Sequence, residues 1–197
     1  MTMKKIRNFP YLMPKPVAII GALTEGKPNF FTVADLCTTA YKRFIISSGK
    51  LHHTNKGIME NKAFSVNLPS NELIAKTDYC GIKSGKNVDK SNVFDVFYGE
   101  QLKNVPMIKN APITHACELL KTVDFGDSHY LFIGEVIETY AHESCLIGNN
   151  PDIDKVKPFT WYSDNYYRNL GEKAAQAYQI GKKLKKDKLN GFNRDPI

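Results

Sequence analysis

The sequence predicts a mainly β protein, a barrel of antiparallel strands with helices inserted between them and one helix appended. Three observations predict it. Apolar runs of strand length occupy the first third of the chain and are separated by turn chemistry. Two longer β-type runs, Ile113 to Asp124 and His129 to His142, are joined by only Phe125-Gly-Asp-Ser128, which makes them a hairpin. Helical stretches are too few to alternate with the strands, which argues against a parallel α/β sheet.

The elements follow in order. Pro16-Val-Ala-Ile-Ile-Gly-Ala-Leu23 reads as a buried strand, Thr24-Glu-Gly-Lys-Pro28 as a turn, and Asn29 to Ala34 as the returning strand of a hairpin. Phe44 to Ser47 is a second buried strand, followed by a donor-rich loop from Ser48 to His53 and a short helix opened by Thr54. Phe64 to Leu68 is the next strand, ended by Pro69. Ser70 or Asn71 then caps a helix over Glu72 to Tyr79, with Gly81 as its stop. Residues 81 to 92 form a polar loop with two glycines. Tyr130-Leu-Phe-Ile-Gly-Glu-Val-Ile-Glu138 begins apolar on both faces, as expected inside a closed or covered sheet. Residues 148 to 166 look irregular, with aromatic residues at Phe159, Trp161, Tyr162, Tyr166 and Tyr167. Leu170, Ala174, Ala177, Tyr178, Gly181 and Leu184 fall at helical spacing, predicting a final helix from 170 to 188.

Length and composition fit one globular domain over residues 1–197, with a core at about 12–165 and the helix and basic tail at 168–197. The formal charge of +7 invites a nucleic-acid reading, but its distribution weakens that reading. Residues 182 to 197 hold six lysines and arginines against two aspartates, so most of the excess belongs to the tail, and no recognition motif accompanies it. Cys37, Cys80, Cys117 and Cys145 are scattered, without a C-x-x-C pair or a histidine at zinc spacing, which points to free thiols and a reducing compartment. No signal peptide and no membrane-spanning stretch is evident, so a cytoplasmic location is expected.

The segment that carries most chemistry is Ser48 to Thr54. A helix N-terminus presents unpaired N–H groups and partial positive charge, and here two serines (one at 47), Lys50, His52, His53 and Thr54 crowd it. A phosphate monoester suits such a place. The alternative is that Thr54 merely caps the helix while Lys50 and the histidines are solvated. Asn29-Phe-Phe-Thr32 and Ala34-Asp-Leu-Cys-Thr-Thr39 could likewise turn backbone N–H groups toward a heterocycle, or form an ordinary loop. Ser84-Gly85-Lys86 lacks the rest of a phosphate-loop motif, and Gly21 to Gly26 is no dinucleotide fingerprint. No serine stands in a nucleophile elbow, and His115, His129 and His142 read as packed or surface histidines.

The chain resembles the flavin reductase-like family, its flavoredoxin-type FMN-binding split barrels in particular. The matching pieces run in order: P-x-P-V-A-I-I-G at 14–21, G-K-P-N-x-x-T at 26–32, S-x-x-x-x-x-T at 48–54 and F-S-V-N-L-P-S at 64–70. They continue with D-Y-C-G-x-x-S-G-x-x-x-D-K at 78–90, A-C-E at 116–118, I-G-E-V at 133–136 and Y-x-x-L-G-E at 167–172. The resemblance implies a six-stranded Greek-key split barrel and a homodimer with non-covalent FMN at its interface. It also implies that Ser48, His53 and Thr54 surround the flavin phosphate and that Ser84 and Lys90 close over phosphate and ribityl chain. Asn29, Thr32, Ala34, Asp35 and Leu36 would run along the isoalloxazine edge, with Tyr167 approaching the ring. Where many members carry a Trp and a Pro-Pro pair, this chain has Asp35 and Ala40-Tyr-Lys-Arg43.

The expected function is therefore an FMN-dependent oxidoreductase of the NAD(P)H:flavin reductase type, with NADH or NADPH as hydride donor. FMN carries the chemistry, so no catalytic side chain is required. The rival readings are a flavoredoxin-like electron carrier serving a redox protein partner, and an acidic-partner or nucleic-acid module built on the lysine-rich tail.

Overall fold

The computed structural model describes residues 2–39 and 41–183. The first hairpin pairs β1 (Ala18–Thr24) with β2 (Lys27–Val33) through a two-residue turn, Glu25-Gly26, in which both residues have positive φ. That geometry matches the twist of the flanking strands. Next come β3 (Leu36–Thr39), β4 (Arg43–Gly49), α1 (Thr54–Asn61) and β5 (Ala63–Leu68). A 3₁₀ turn at Asn71–Leu73 leads into α2 (Ile74–Ile82). The long hairpin is β6 (Ile113–Phe125) with β7 (His129–Ala141). A short helix α3 (Ile153–Val156) and a small ladder of β8 (Phe159–Trp161) and β9 (Tyr167–Asn169) follow, with Lys15–Pro16 paired to β8.

The main sheet is wholly antiparallel, in the order β2-β1-β5-β6-β7-β4-β3. Its two ends are one stretch of chain. β2 pairs with β1, the strand bends at Ala34 and Asp35, and β3 then pairs with β4. The Ser47 N–H donates to the Asp35 carbonyl at 2.8 Å, bridging the bend. Counting β2 and β3 as one bent strand, six segments close a split barrel, and closure leaves no long unpaired edge.

Residue pattern explains each wall. In β4 the inward residues Phe44, Ile46 and Ser48 alternate with more exposed ones. In β5 the first five residues are all buried, because Phe64 and Val66 enter the barrel while Ser65 and Asn67 face a second layer. There Ser65 Oγ donates to the Pro106 carbonyl at 2.6 Å, and Asn67 accepts from the Ile108 N–H at 2.9 Å. The barrel core contains Ile20, Phe31, Ile46, Phe64, Val66 and Phe132, and Ile58 of α1 joins it. A satellite core of Ile19, Phe30, Leu73, Cys80, Phe94 and Ile108 fastens α2 to the outside of β1 and β2.

Three sequence expectations need correction. The helix expected over 170–188 is absent from 170 to 179; only a 3₁₀ turn at Ile180–Lys183 follows, and 184–188 lie outside the described residues. The apolar stripe there consists of small residues, and Leu170 and Tyr178 are 44% and 93% exposed. A periodic stripe with no surface to meet gains too little burial to hold a helix, and Tyr178 takes a left-handed conformation (φ +61°). The helix expected at 72–79 begins as a 3₁₀ turn and continues through Gly81 to Ile82. The region 148–166 is less irregular than expected, since it holds α3 and β8. No described helix is long and apolar enough to cross a membrane.

Candidate functional site

The end of β4 and the start of α1 are locked together. Ser48, only 1% exposed, donates its hydroxyl to Asn55 Oδ1 at 2.7 Å, and Asn55 Nδ2 donates to the Gly49 carbonyl at 2.8 Å. The Ser48 hydroxyl is thus a brace within the turn. His53 stands at the N-cap position without a side-chain cap bond, and Thr54 is the first helical residue, 1% exposed. Thr54 therefore does not cap α1; it lines a cleft instead. Lys50 reaches Asp124 at 2.6 Å and lies over the Tyr130 ring. His52 stacks on Phe31 with centroids 4.7 Å apart; burial, then Lys90 and His129, lower its pKa, which favours a neutral ring.

The opposite wall is the loop from Ser84 to Lys90. The Ser84 carbonyl accepts from the Asn87 and Val88 N–H groups, and its Oγ accepts from the Lys86 N–H at 3.3 Å. Gly85 lies so close to Asn29 that a Cβ there would stand 2.4 Å from Nδ2. Asn29 accepts from the Phe30 N–H, while its buried Nδ2 has no partner. Lys90, 3% exposed, donates to the carbonyls of Phe30 (2.9 Å) and Cys80 (3.0 Å), tying β2 to α2. Burial lowers its pKa. An ammonium has three donors, so one remains after these two bonds.

Between these walls is a cleft of about 570 Å³ lined by Phe31, His52, Thr54, Gly81, Ser84 and Lys90, among others. Its lining contains four lysines and two histidines and no carboxylate. A recess of about 320 Å³ adjoins it and shares His53, Gly85 and Lys90. Cavities of this size and chemistry suit an anionic small molecule.

The remaining expected residues lie along β2 and its bend. Thr32 donates its hydroxyl to the Thr77 carbonyl of α2. Tyr167 donates to Asp78 of α2 at 3.0 Å and meets Phe159 edge-on; burial, then Asp78, pushes its pKa up to about 12. Ala34 and Asp35 form the bend outside both ladders, and Asp35 pairs with Lys15, itself over Trp161. Leu36 lies in the β3–β4 ladder opposite Ile46 and packs on the barrel core. The structure thus gathers Asn29, His53, Thr54, Ser84 and Lys90 at one end and places Thr32 and Tyr167 against α2. Asn29 sits with the 84–90 loop, not with Ala34 and Asp35. Sequence reading missed the His52–Phe31 stack and the Asn55 brace. The asparagine directly after Thr54 was a signal for the brace; nothing local pairs Phe31 with His52.

A split barrel with a donor-lined, carboxylate-free cleft beside one helix start defines a scaffold suited to an anionic small-molecule ligand. The chain belongs to the flavin reductase-like family: the model for the flavin reductase like domain matches residues 11–169. It is similar to the flavoredoxin from Methanosarcina acetivorans, with 39% identity and TM-score 0.88, covering 92% of this chain and 98% of that one. The flavoredoxin of Desulfovibrio vulgaris (Miyazaki F) shows 28% identity and TM-score 0.81, covering 91% and 100%. The FMN-binding protein from Thermus thermophilus shares the fold, with 23% identity and TM-score 0.74 over 89% and 97%. No curated protein matches the chain.

Proposed function

We propose that the chain is a flavoprotein that holds FMN non-covalently in the cleft and passes electrons through it. One observation carries this reading: a cleft lined by four lysines and two histidines with no carboxylate, in which the Lys90 ammonium keeps one donor beyond its two carbonyl bonds. A free donor of this kind beside a helix start fits a phosphate and polyol chain. The similarity to flavoredoxins and to an FMN-binding protein supports the same reading.

When bound, FMN supplies the hydride and one-electron chemistry. The protein's own residues position it. Thr54 and the first turn of α1 meet the phosphate, together with His53 and Ser84. Lys90 holds β2 against α2 and so fixes the width of the cleft. His52, stacked on Phe31, presents a flat face inside the cleft. Thr32, Ala34 and Asp35 would follow the ring edge, and Tyr167 would approach it from the far side. A homodimer would cover the cleft mouth, where Leu51 and Ile82 are 84% and 69% exposed.

The test is titration of apoprotein with FMN and riboflavin, followed by fluorescence quenching. FMN binding well ahead of riboflavin is expected, and absence of FMN binding defeats the proposal. The physiological partner divides two readings. NADH or NADPH oxidation with free flavin as acceptor supports a reductase. FMN binding without such turnover supports an electron carrier.

A further inference from the structure

His52 stands in the cleft wall with a proton-binding capacity that the flavin reading leaves unused. Its ring lies on Phe31 of β2, with centroids 4.7 Å and planes 27° apart, and its backbone N–H donates to the Gly49 carbonyl at 3.0 Å. A Cβ at Gly49 would stand 3.4 Å from the ring, so stack and turn together fix its place. Among the described residues, the histidine side chains that make hydrogen bonds are those of His115 and His142; the nitrogens of His52 have no protein partner. Half-buried in the lining, they are free to meet a ligand in the cleft.

The charges that face this ring are cationic on every side. Its own loop carries Lys50 and His53, the end of α2 and the loop after it carry Lys83, Lys86 and Lys90, and β7 opens with His129. Phe31 brings no charge from β2, and α1 opens with neutral Thr54. The carboxylates of the same region are engaged elsewhere. Asp124 holds Lys50 at 2.6 Å and Asp127 also faces Lys50, while Asp89 is tied to Lys27 and Glu25 to Lys56, each at 3.0 Å. Burial, then Lys90 and His129, hold the ring below the ordinary histidine value, so without an anion it is neutral at physiological pH. A phosphate dianion reverses that balance, because its charge favours imidazolium and its oxygens accept the N–H that protonation creates. We infer that His52 takes up one proton from solvent when a phosphate dianion enters the cleft. Cofactor binding is thereby linked to pH, and His52 becomes a determinant of the preference for phosphorylated flavin. The proton returns to solvent when the ligand leaves. This inference rests on the FMN reading for the identity of the anion.

The full-length protein has five histidines, few enough to titrate individually by NMR from about pH 5 to 9. The signal lost in His52→Gln assigns His52, and His52→Phe, which keeps an aromatic ring on Phe31, serves if the glutamine variant does not fold. FMN should raise the His52 midpoint by about one pH unit, whereas riboflavin should leave it where the apoprotein has it. By fluorescence quenching, the ratio of wild-type to variant affinity for FMN should rise about fivefold from about pH 8 to about pH 6.5, tenfold per pH unit being the ceiling for one proton. The FMN phosphate itself titrates at about pH 6 in both proteins, and the ratio cancels it. A His52 midpoint that FMN leaves in place, or that riboflavin moves equally, overturns the inference. So does an affinity ratio independent of pH. If FMN does not bind, the flavin reading falls instead, and millimolar inorganic phosphate then decides: a raised His52 midpoint supports proton uptake toward an anion, and an unmoved one ends it.

Discussion

Buried Thr54 and Lys90 and half-buried His115 show how differently single polar residues act. On the proposed FMN site, Thr54→Ala should weaken FMN by about 1–3 kcal/mol and leave riboflavin nearly unchanged, because it would remove a hydrogen bond to a charged group; paired titrations check this. Lys90, expected through the resemblance to close over the phosphate and ribityl chain, spends two of its ammonium's three donors on the Phe30 and Cys80 carbonyls. Lys90→Met should therefore destabilise the apoprotein by roughly 1–3 kcal/mol, by leaving two buried carbonyls without donors, and urea unfolding without flavin reads this directly. His115 bonds Thr139 Oγ1 through Nδ1 at 2.9 Å, and burial pushes its pKa down to about 4 from 6.5. The unfolded chain then binds the extra proton first. Stability should be complete above pH 6.5 and fall as pH drops toward about 4. His115→Asn should flatten that slope, as urea midpoints at several pH values would reveal. Residue type and spacing placed Thr54 at a donor-rich helix start, whereas only the family resemblance pointed to Lys90. The partners of their polar atoms come from β2 and α2, which no local pattern specifies.

Helix α1 shows the same division at the scale of an element. Its length and start were legible from the small polar run before it, whereas its seating depends on Gly57. A Cβ at Gly57 would stand 2.2 Å from the Leu23 carbonyl oxygen and 2.5 Å from Thr24 Oγ1. Gly57→Ala should push α1 away from β1, costing about 1–3 kcal/mol as overpacking does, and should weaken FMN by moving the helix start. Denaturation curves and FMN titration of the variant check both effects. The final helix failed for the complementary reason. Periodicity at 170–181 was real, but Leu170 and Tyr178 find no surface among the described residues. A moment without a neighbour does not make a helix.

Across the whole molecule, the two hairpins were legible, and so was the covered position of β7 from its apolar start, but the strand order and the closure were not. The closure depends on the bend at Ala34 and Asp35, where nothing in the sequence announces that one strand changes partners. The charge distribution was also only half legible. The tail holds much of the excess, yet the cleft lining adds four lysines and two histidines and no carboxylate, with only Lys50 paired to an acid outside the lining, Asp124. FMN affinity should accordingly fall as salt rises from low to physiological concentration, while riboflavin affinity holds, since screening acts on the phosphate and not on the ring. Titrations at two ionic strengths check this.

The seam between β4 and β7 has a consequence for how the protein acquires its form. Both hairpins join residues close in sequence, whereas this seam pairs Arg43 with Glu135 and Gly49 with His129. Such distant pairing carries a large loop-closure cost and is made slowly. Gly49 is also where the chain turns into the loop before α1, so the donor wall is complete only when this last seam zips. Cofactor uptake during refolding should therefore follow the slowest phase, and FMN added early would act as a reporter of final closure, not as a template for it.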